Sequence, residues 1–294
     1  MTFHFIKNKH FFYVLSAILI LQGVLSFYLV NPALGTDLIG GYILEVKTNL
    51  PVETIAKELN IQVSVFKTDA SVIIKSKDNL NNLWLMIRQR DKQAEKLRAE
   101  FISPALSSEL KNKALFMIVV VLFFIGAYIA FAFRRLKDIF SLFSLSLVVI
   151  FTLFHDVIAT AGIYVYVSDY LNFELDIKFI TALLILVGFS VHDTIVIFDR
   201  IREKILLSNI KKINTDLKDI FQSSIQETLR RSIFTSLTTV LSILPLTLFM
   251  NELRPFLLAI QLGMIVGTYS SICLAAPLLY DSSQSRQSSH KNNK

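Results

Sequence analysis

Three side chains carry charge where an apolar chain should have none: Asp156, Asp193 and Arg231. Asp193 lies inside a hydrophobic run that opens near Phe179, about 9 Å of helix inward from Asp199, where a charged cluster marks the membrane boundary. A carboxylate at the centre of a bilayer span costs about 2.5 to 3.5 kcal/mol on insertion scales, so an acid there is retained for a task and needs a partner. Arg231 opens the next apolar run, and Thr235, Thr238 and Ser242 follow it at offsets of four, seven and eleven, a single polar face on a helix. Desolvation in lipid favours the neutral acid while a nearby guanidinium favours the carboxylate, so an Asp193 opposite Arg231 can take up and release a proton as its exposure changes. The hydroxyls alone also suit ordinary packing between spans. Asp156 is the second buried acid, with His155 before it. His192 stands beside Asp193 in the same way and is a candidate modulator, since imidazole changes charge near neutral pH.

Composition requires the elements that would hold these groups to be membrane helices. Of 294 residues 53% are hydrophobic and 24 are Phe, far more than the core of a soluble domain of this length needs. The net charge of +7 resides in short Lys/Arg segments next to apolar runs, the pattern of topology signals, with no basic face interleaved with aromatics to suit nucleic acid. Cys273 is the only cysteine, and the five His lack ligand spacing, so neither a disulfide framework, a metal site nor a cofactor is expected.

The chain divides accordingly. Residues 1–30 hold a basic start and a first span at 11–30, too long for the apolar part of a signal peptide. Residues 31–113 are polar and mixed in charge, a small α+β domain outside the membrane. It has strand character at 42–47, 61–66 and 71–75, a helix at 52–59 begun by Pro51, and a second helix over 81–98 that fades toward a last strand at 100–102. Residues 114–280 carry spans at 114–133, 142–167, 179–198, 232–250 and 255–280. The connector 199–228, with Lys211, Lys212 and Lys218 among apolar residues, suits an amphipathic segment on the inner surface, in contact with lipid. Residues 281–294 are polar and expected to be disordered. Arg134, Arg135 and Lys137 on one side, against the acidic loop 168–176 on the other, place both termini in the cytoplasm. The fold class is an α-helical membrane protein of six spans with an outer α+β domain between the first two.

The segment from Gly188 through Ser190, His192-Asp193-Thr194, Val196 and Phe198-Asp199-Arg200-Ile201-Arg202-Glu203 resembles the fourth-span signature of the SecF family of protein-export membrane subunits, roughly G-Y-S-x-N-D-T-x-V-x-F-D-R-I-R-E. Gly35-Thr36-Asp37 with Gly40-Gly41, His155-Asp156-Val157-Ile158, and Thr228-Leu229 through Arg231 to Thr235-Ser236-Leu237-Thr238-Thr239 match further family motifs in order. Departures are His192 where Asn is usual, Leu38-Ile39 before the glycine pair, and Ser103-Pro104 for Gly-Pro.

The resemblance implies half of a resistance-nodulation-division type membrane unit in the bacterial inner membrane, completed by SecD. It implies proton-driven assistance to a polypeptide passing through the Sec channel, with Asp193 as the acid, Arg231 as its basic partner and Asp156 in the same relay. Rival readings are a passive scaffold of the channel complex and a small-molecule or lipid exporter of the same superfamily. An intramembrane aspartyl protease is disfavoured because neither acid has a Gly-x-Gly-Asp context, and no enzyme activity is expected.

Overall fold

The computed structural model describes residues 4–61, 63–67, 71–134, 140–211 and 216–292. Among these, six helices are long and apolar enough to cross a membrane, making this a multi-pass membrane protein. They are α1 (Lys9–Leu29), α5 (Pro104–Ala132), α6 (Leu142–Leu171), α7 (Ile177–Lys211), α8 (Leu217–Phe249) and a last one made of α9 (Arg254–Ser270), a π-helical turn (Ser271–Ala275) and α10 (Ala276–Asn292). Arg135 and Lys137, which mark the topology, and Lys212 of the connector fall outside the described residues.

Two compact units result. One comprises residues 32–117 and 172–180. After a short α2 (Thr36–Ile39) come β1 (Gly41–Lys47), α3 (Val52–Glu58), β2 (Ser64–Lys67), β3 (Val72–Ser76), α4 (Asn81–Arg90) and β4 (Glu95–Ile102). The four strands are antiparallel in the order β2-β3-β1-β4. Alternation places Leu44, Val46, Val72 and Ile74 on one face, where they pack against Val52, Ile55 and Ala56 of α3 and Leu83 and Ile87 of α4. Gly40 (φ +83°) and Gly41 (φ +145°) start the sheet, and a Cβ at Gly41 would lie 2.6 Å from the Ser76 carbonyl oxygen, so this entry turn has room for glycine only. Residues 172–180 join the unit through a short parallel bridge: Gly35 N donates to Leu175 O at 2.8 Å and Leu175 N to Ala33 O at 2.8 Å.

The expected helix over 81–98 stops at Arg90. Asp91 turns extended (φ −126°, ψ 97°), its Oδ2 accepts from Thr48 Oγ1 at 2.8 Å, and the chain from Glu95 pairs along the whole of β1. Ladder bonding outweighs the high helix propensity of Lys96, Leu97 and Arg98.

The other unit comprises residues 1–31, 118–171 and 181–294. Here α1 lies on α6 at glycine contact, where a Cβ at Gly162 would fall 2.2 Å from Gly23 Cα. Helix α6 also packs on α9, and α8 on α9. Where α7 meets α8, Phe133, Phe140, Phe198, Ile201, Ile205, Ile220, Phe221 and Ile225 form an apolar core. Of the stretch expected to be an amphipathic connector, residues 199–211 continue α7 and 217–228 begin α8, and the two bury these apolar positions against each other. Helix α10 continues to Asn292 and is tied at its start, where Asp281 pairs with Lys9 and accepts from Tyr13 Oη at 3.0 Å. Outward faces of α5 and α8 leave Phe116, Phe123, Phe131, Leu241 and Phe249 exposed, as lipid contact requires.

Candidate functional site

Asp156 and Asp193 sit in adjoining parts of one buried polar layer, but their surroundings differ. Asp156 is fully buried, and both of its carboxylate oxygens have partners. His155 Nδ1 lies 2.9 Å from its Oδ1, while Ser190 Oγ of α7 and Ser270 Oγ of α9 both donate to Oδ2, at 2.5 and 2.8 Å. Three helices therefore meet on one carboxylate. His155 faces Tyr269, ring centroids 6.4 Å apart, and Tyr269 Oη donates to Phe12 O of α1 at 3.1 Å, bringing a fourth helix in.

Asp193 is 4% exposed, three residues beyond Ser190 on α7, and its Oδ2 has no hydrogen-bond partner among the described residues. Ser232 of α8, Thr268 of α9, His192 and Arg231 are the groups near enough to act on its charge. Ser232 is 1% exposed, and its hydroxyl is likewise without a partner among the described residues. Thr268 shares a hydrogen bond with Ser236 of α8 and donates to Met264 O at 2.8 Å, so α8 and α9 are joined one turn from Ser232. Gly267 lets α9 approach α7, since a Cβ there would lie 3.1 Å from Ser190 Cβ.

The expected polar face of α8 is displaced by one residue. Thr235, Thr238 and Ser242 are exposed and donate to their own helix's carbonyls, at Arg231 (2.8 Å), Phe234 (2.7 Å) and Thr238 (2.8 Å). The buried row is Ser224, Thr228, Ser232 and Ser236. Arg231 is exposed and makes no ion pair with Asp193 among the described residues. Its charge reaches Asp193 over a longer distance, from the wall of a polar cleft lined by Val196, Asp199, Arg200, Glu203, Glu227, Thr228 and Arg231. His192 is exposed on the outward side of α7. Sequence reasoning missed Ser190, Ser232, Thr268 and Ser270. For the first two, the signal was their place one turn from an acid or on a strict four-residue row. Among the described residues no three His, Cys, Asp or Glu side chains converge to hold a metal ion.

This arrangement can hold one carboxylate rigidly and leave another with an oxygen that has no partner among the described residues, in a buried, polar-lined position where a proton could be taken up or released. The chain matches the family described as protein export membrane protein SecD/SecF, C-terminal, over residues 84–285. It is 30% identical to the protein translocase subunit SecF of Thermobaculum terrenum over 93% of this chain and 92% of that protein. It is 32% identical to the same subunit of Calditerrivibrio nitroreducens over 94% and 92%. It is also similar to the crystal structure of SecDF, a translocon-associated membrane protein from Thermus thermophilus, with a TM-score of 0.79 and 29% identity over 96% of this chain. The chain spans only 38% of that longer protein. With six candidate spans, an α+β unit and relatives aligned along nearly its whole length, the chain belongs to the SecD/SecF family of protein export membrane proteins, on the SecF side.

Proposed function

We propose that this protein translocase subunit couples proton movement through Asp193 to the export of polypeptides. It would do so as the SecF half of a pair with SecD beside the Sec channel in the bacterial inner membrane, with both termini cytoplasmic. The observation that carries the reading is the Asp193 carboxylate, 4% exposed with an oxygen lacking a partner among the described residues, beside Ser232 and Thr268 and within reach of the Arg231 charge. A proton on that oxygen makes the site neutral. Its loss leaves a carboxylate that faces the Ser232 and Thr268 hydroxyls, with His192 and, more weakly, Arg231 as the charges able to act on it. Moving one elementary charge across 100 mV is worth about 2.3 kcal/mol, enough to shift a two-state arrangement of the helices many-fold. Membrane lipid is the solvent for the bundle, and the polypeptide would be handled on the outer side.

Asp156 supports a different task. A carboxylate that already accepts from two serines and faces His155 has little capacity left for a travelling proton, and we assign it to holding α6, α7 and α9 in register. The test is export into proteoliposomes containing the channel, SecD and this chain, with an imposed proton gradient. Asp193→Asn should abolish the gradient-dependent part of export while the complex still assembles. Undiminished gradient-driven export in that variant would leave a scaffold role instead.

A further inference from the structure

The polar cleft at the inner ends of α7 and α8 has no part in the relay described so far, and its position gives it one. Its lining crosses from Val196 on α7 to Thr228 and Arg231 on α8. Val196 is three residues from Asp193, about 4.5 Å along the helix, and Thr228 is four residues from Ser232, about 6 Å. The cleft thus ends one helical turn short of two buried groups without partners among the described residues, Asp193 Oδ2 and Ser232 Oγ. Buried polar atoms of this kind are commonly met by water. The lining residues nearest to them along each helix are Val196 and Thr228, whose hydroxyl is already committed to Ser224 O (2.9 Å) and Ile225 O (3.2 Å). An apolar side chain and a satisfied hydroxyl at the end of a polar cleft are the makings of a constriction that passes water only when it widens.

The mouth is held by ion pairs. Glu227 of α8 accepts from Arg200 Nε at 2.7 Å and Lys204 Nζ at 2.6 Å. Arg200 also reaches Glu203 at 2.5 Å, and Arg202 pairs with Asp199 at 3.1 Å. Lys204 donates as well to Ser223 Oγ at 2.8 Å, a second link from α7 to α8. The charged groups along the route are therefore Asp199, Arg200, Arg202, Glu203 and Lys204 on α7 and Glu227 and Arg231 on α8, with His192 near Asp193 on the far side.

We infer that this α7–α8 cleft is the aqueous route by which Asp193 exchanges its proton with the side on which Lys and Arg gather, with Val196 and Thr228 as the throat and the Glu227 ion pairs as the latch on its mouth. The inference rests on the proton-coupled reading above and adds the path. The Asp193 carboxyl gives its proton to a water reaching past Val196, that water passes one to the cleft, and Arg231 balances the carboxylate left behind.

Single cysteines test it in a Cys273→Ser background, with the full chain and SecD in membrane vesicles of either orientation and a charged, membrane-impermeant methanethiosulfonate as the probe. Val196→Cys and Thr228→Cys should react in vesicles whose inner face is outward and be protected in the opposite orientation. Val196→Phe, which fills the throat, should slow gradient-driven export severalfold while assembly with SecD and thermal stability stay unchanged. Glu227→Gln, which weakens the latch, should speed labelling at Val196→Cys severalfold. Failure of both cysteines to react from the inner face overturns the inference, and so does a Val196→Phe protein that assembles and exports at the full rate. Either failure leaves the coupling itself to be judged separately by Asp193→Asn.

Discussion

Ser190 Oγ donates a 2.5 Å hydrogen bond to Asp156 Oδ2 from the turn of α7 that leads directly into Asp193. Any rotation of α7 that re-exposes Asp193 must therefore stretch or carry this bond. The rigid acid serves as a fulcrum for the one left free.

If that is so, the serine donors stabilise the bundle measurably. Ser190→Ala and Ser270→Ala should each lower unfolding stability in detergent by about 1 to 3 kcal/mol, the cost of leaving a buried acceptor short of a partner. Because both donate to one oxygen, the double variant should lose a different amount from the sum of the two, as thermal unfolding of all four proteins would reveal.

The two acids should separate in opposite directions. Asp156→Ala leaves His155, Ser190 and Ser270 facing a gap and should cost about 3 kcal/mol or more. Asp193→Asn swaps one small polar group for another where no hydrogen bond is lost, so its stability should stay within about 1 kcal/mol of the parent while gradient-driven export disappears. Melting curves and export assays on the same preparations give both readings.

Glycines in the bundle divide as sharply. Gly162→Ala places a Cβ 2.2 Å from Gly23 Cα and should cost about 1 to 3 kcal/mol by forcing α1 off α6. Gly188→Ala meets nothing within 4 Å and gains helix propensity, so it should be neutral or stabilising by up to about 1 kcal/mol. Equal effects from the two substitutions would contradict the close α1–α6 crossing.

The hydrogen bond between Ser236 and Thr268 is the direct polar link between α8 and α9 nearest Asp193. A double-mutant cycle with Ser236→Ala and Thr268→Val should return a coupling of about 0.6 kcal/mol, and no more than about 1.7, the range for such bonds between membrane helices.

Much of the architecture was readable beforehand because apolar runs of twenty residues have one physical outcome in a bilayer, and because alternation at 42–47 and the short β-branched run at 71–75 leave little choice but a sheet. Helix α4 was overextended because residues 91–98 are mostly polar good helix formers with no apolar face to betray a strand, and only pairing with β1 decides their state. The phase of α8 was harder. Arg231, Thr235, Thr238 and Ser242 form one polar row and Ser224, Thr228, Ser232 and Ser236 another, a residue apart. In both rows hydroxyls satisfy themselves on the carbonyl four residues back, as Thr235 and Ser236 do, so lipid and protein are nearly equivalent hosts for such groups. Ser236 is turned inward by its contact with Thr268 of α9, from a distant part of the chain. The partners of Asp156 were invisible for the same reason: Ser190 and Ser270 are 34 and 114 residues away.

The widened turn at Ser271–Ala275 lies shortly ahead of the Asp281 anchor. A turn of this type carries one residue more than an α-helical turn through nearly the same rotation and rise, so the extra residue is absorbed where it stands and the helix beyond keeps its phase. Removing one residue from the regular α-helix that follows, between Ala276 and Tyr280, would instead swing Asp281 by about 100° with a shift of about 1.5 Å, away from Lys9 and Tyr13, unfastening the two helices from each other while both stayed intact. Length is therefore tolerated inside the widened turn and fixed between that turn and its anchor.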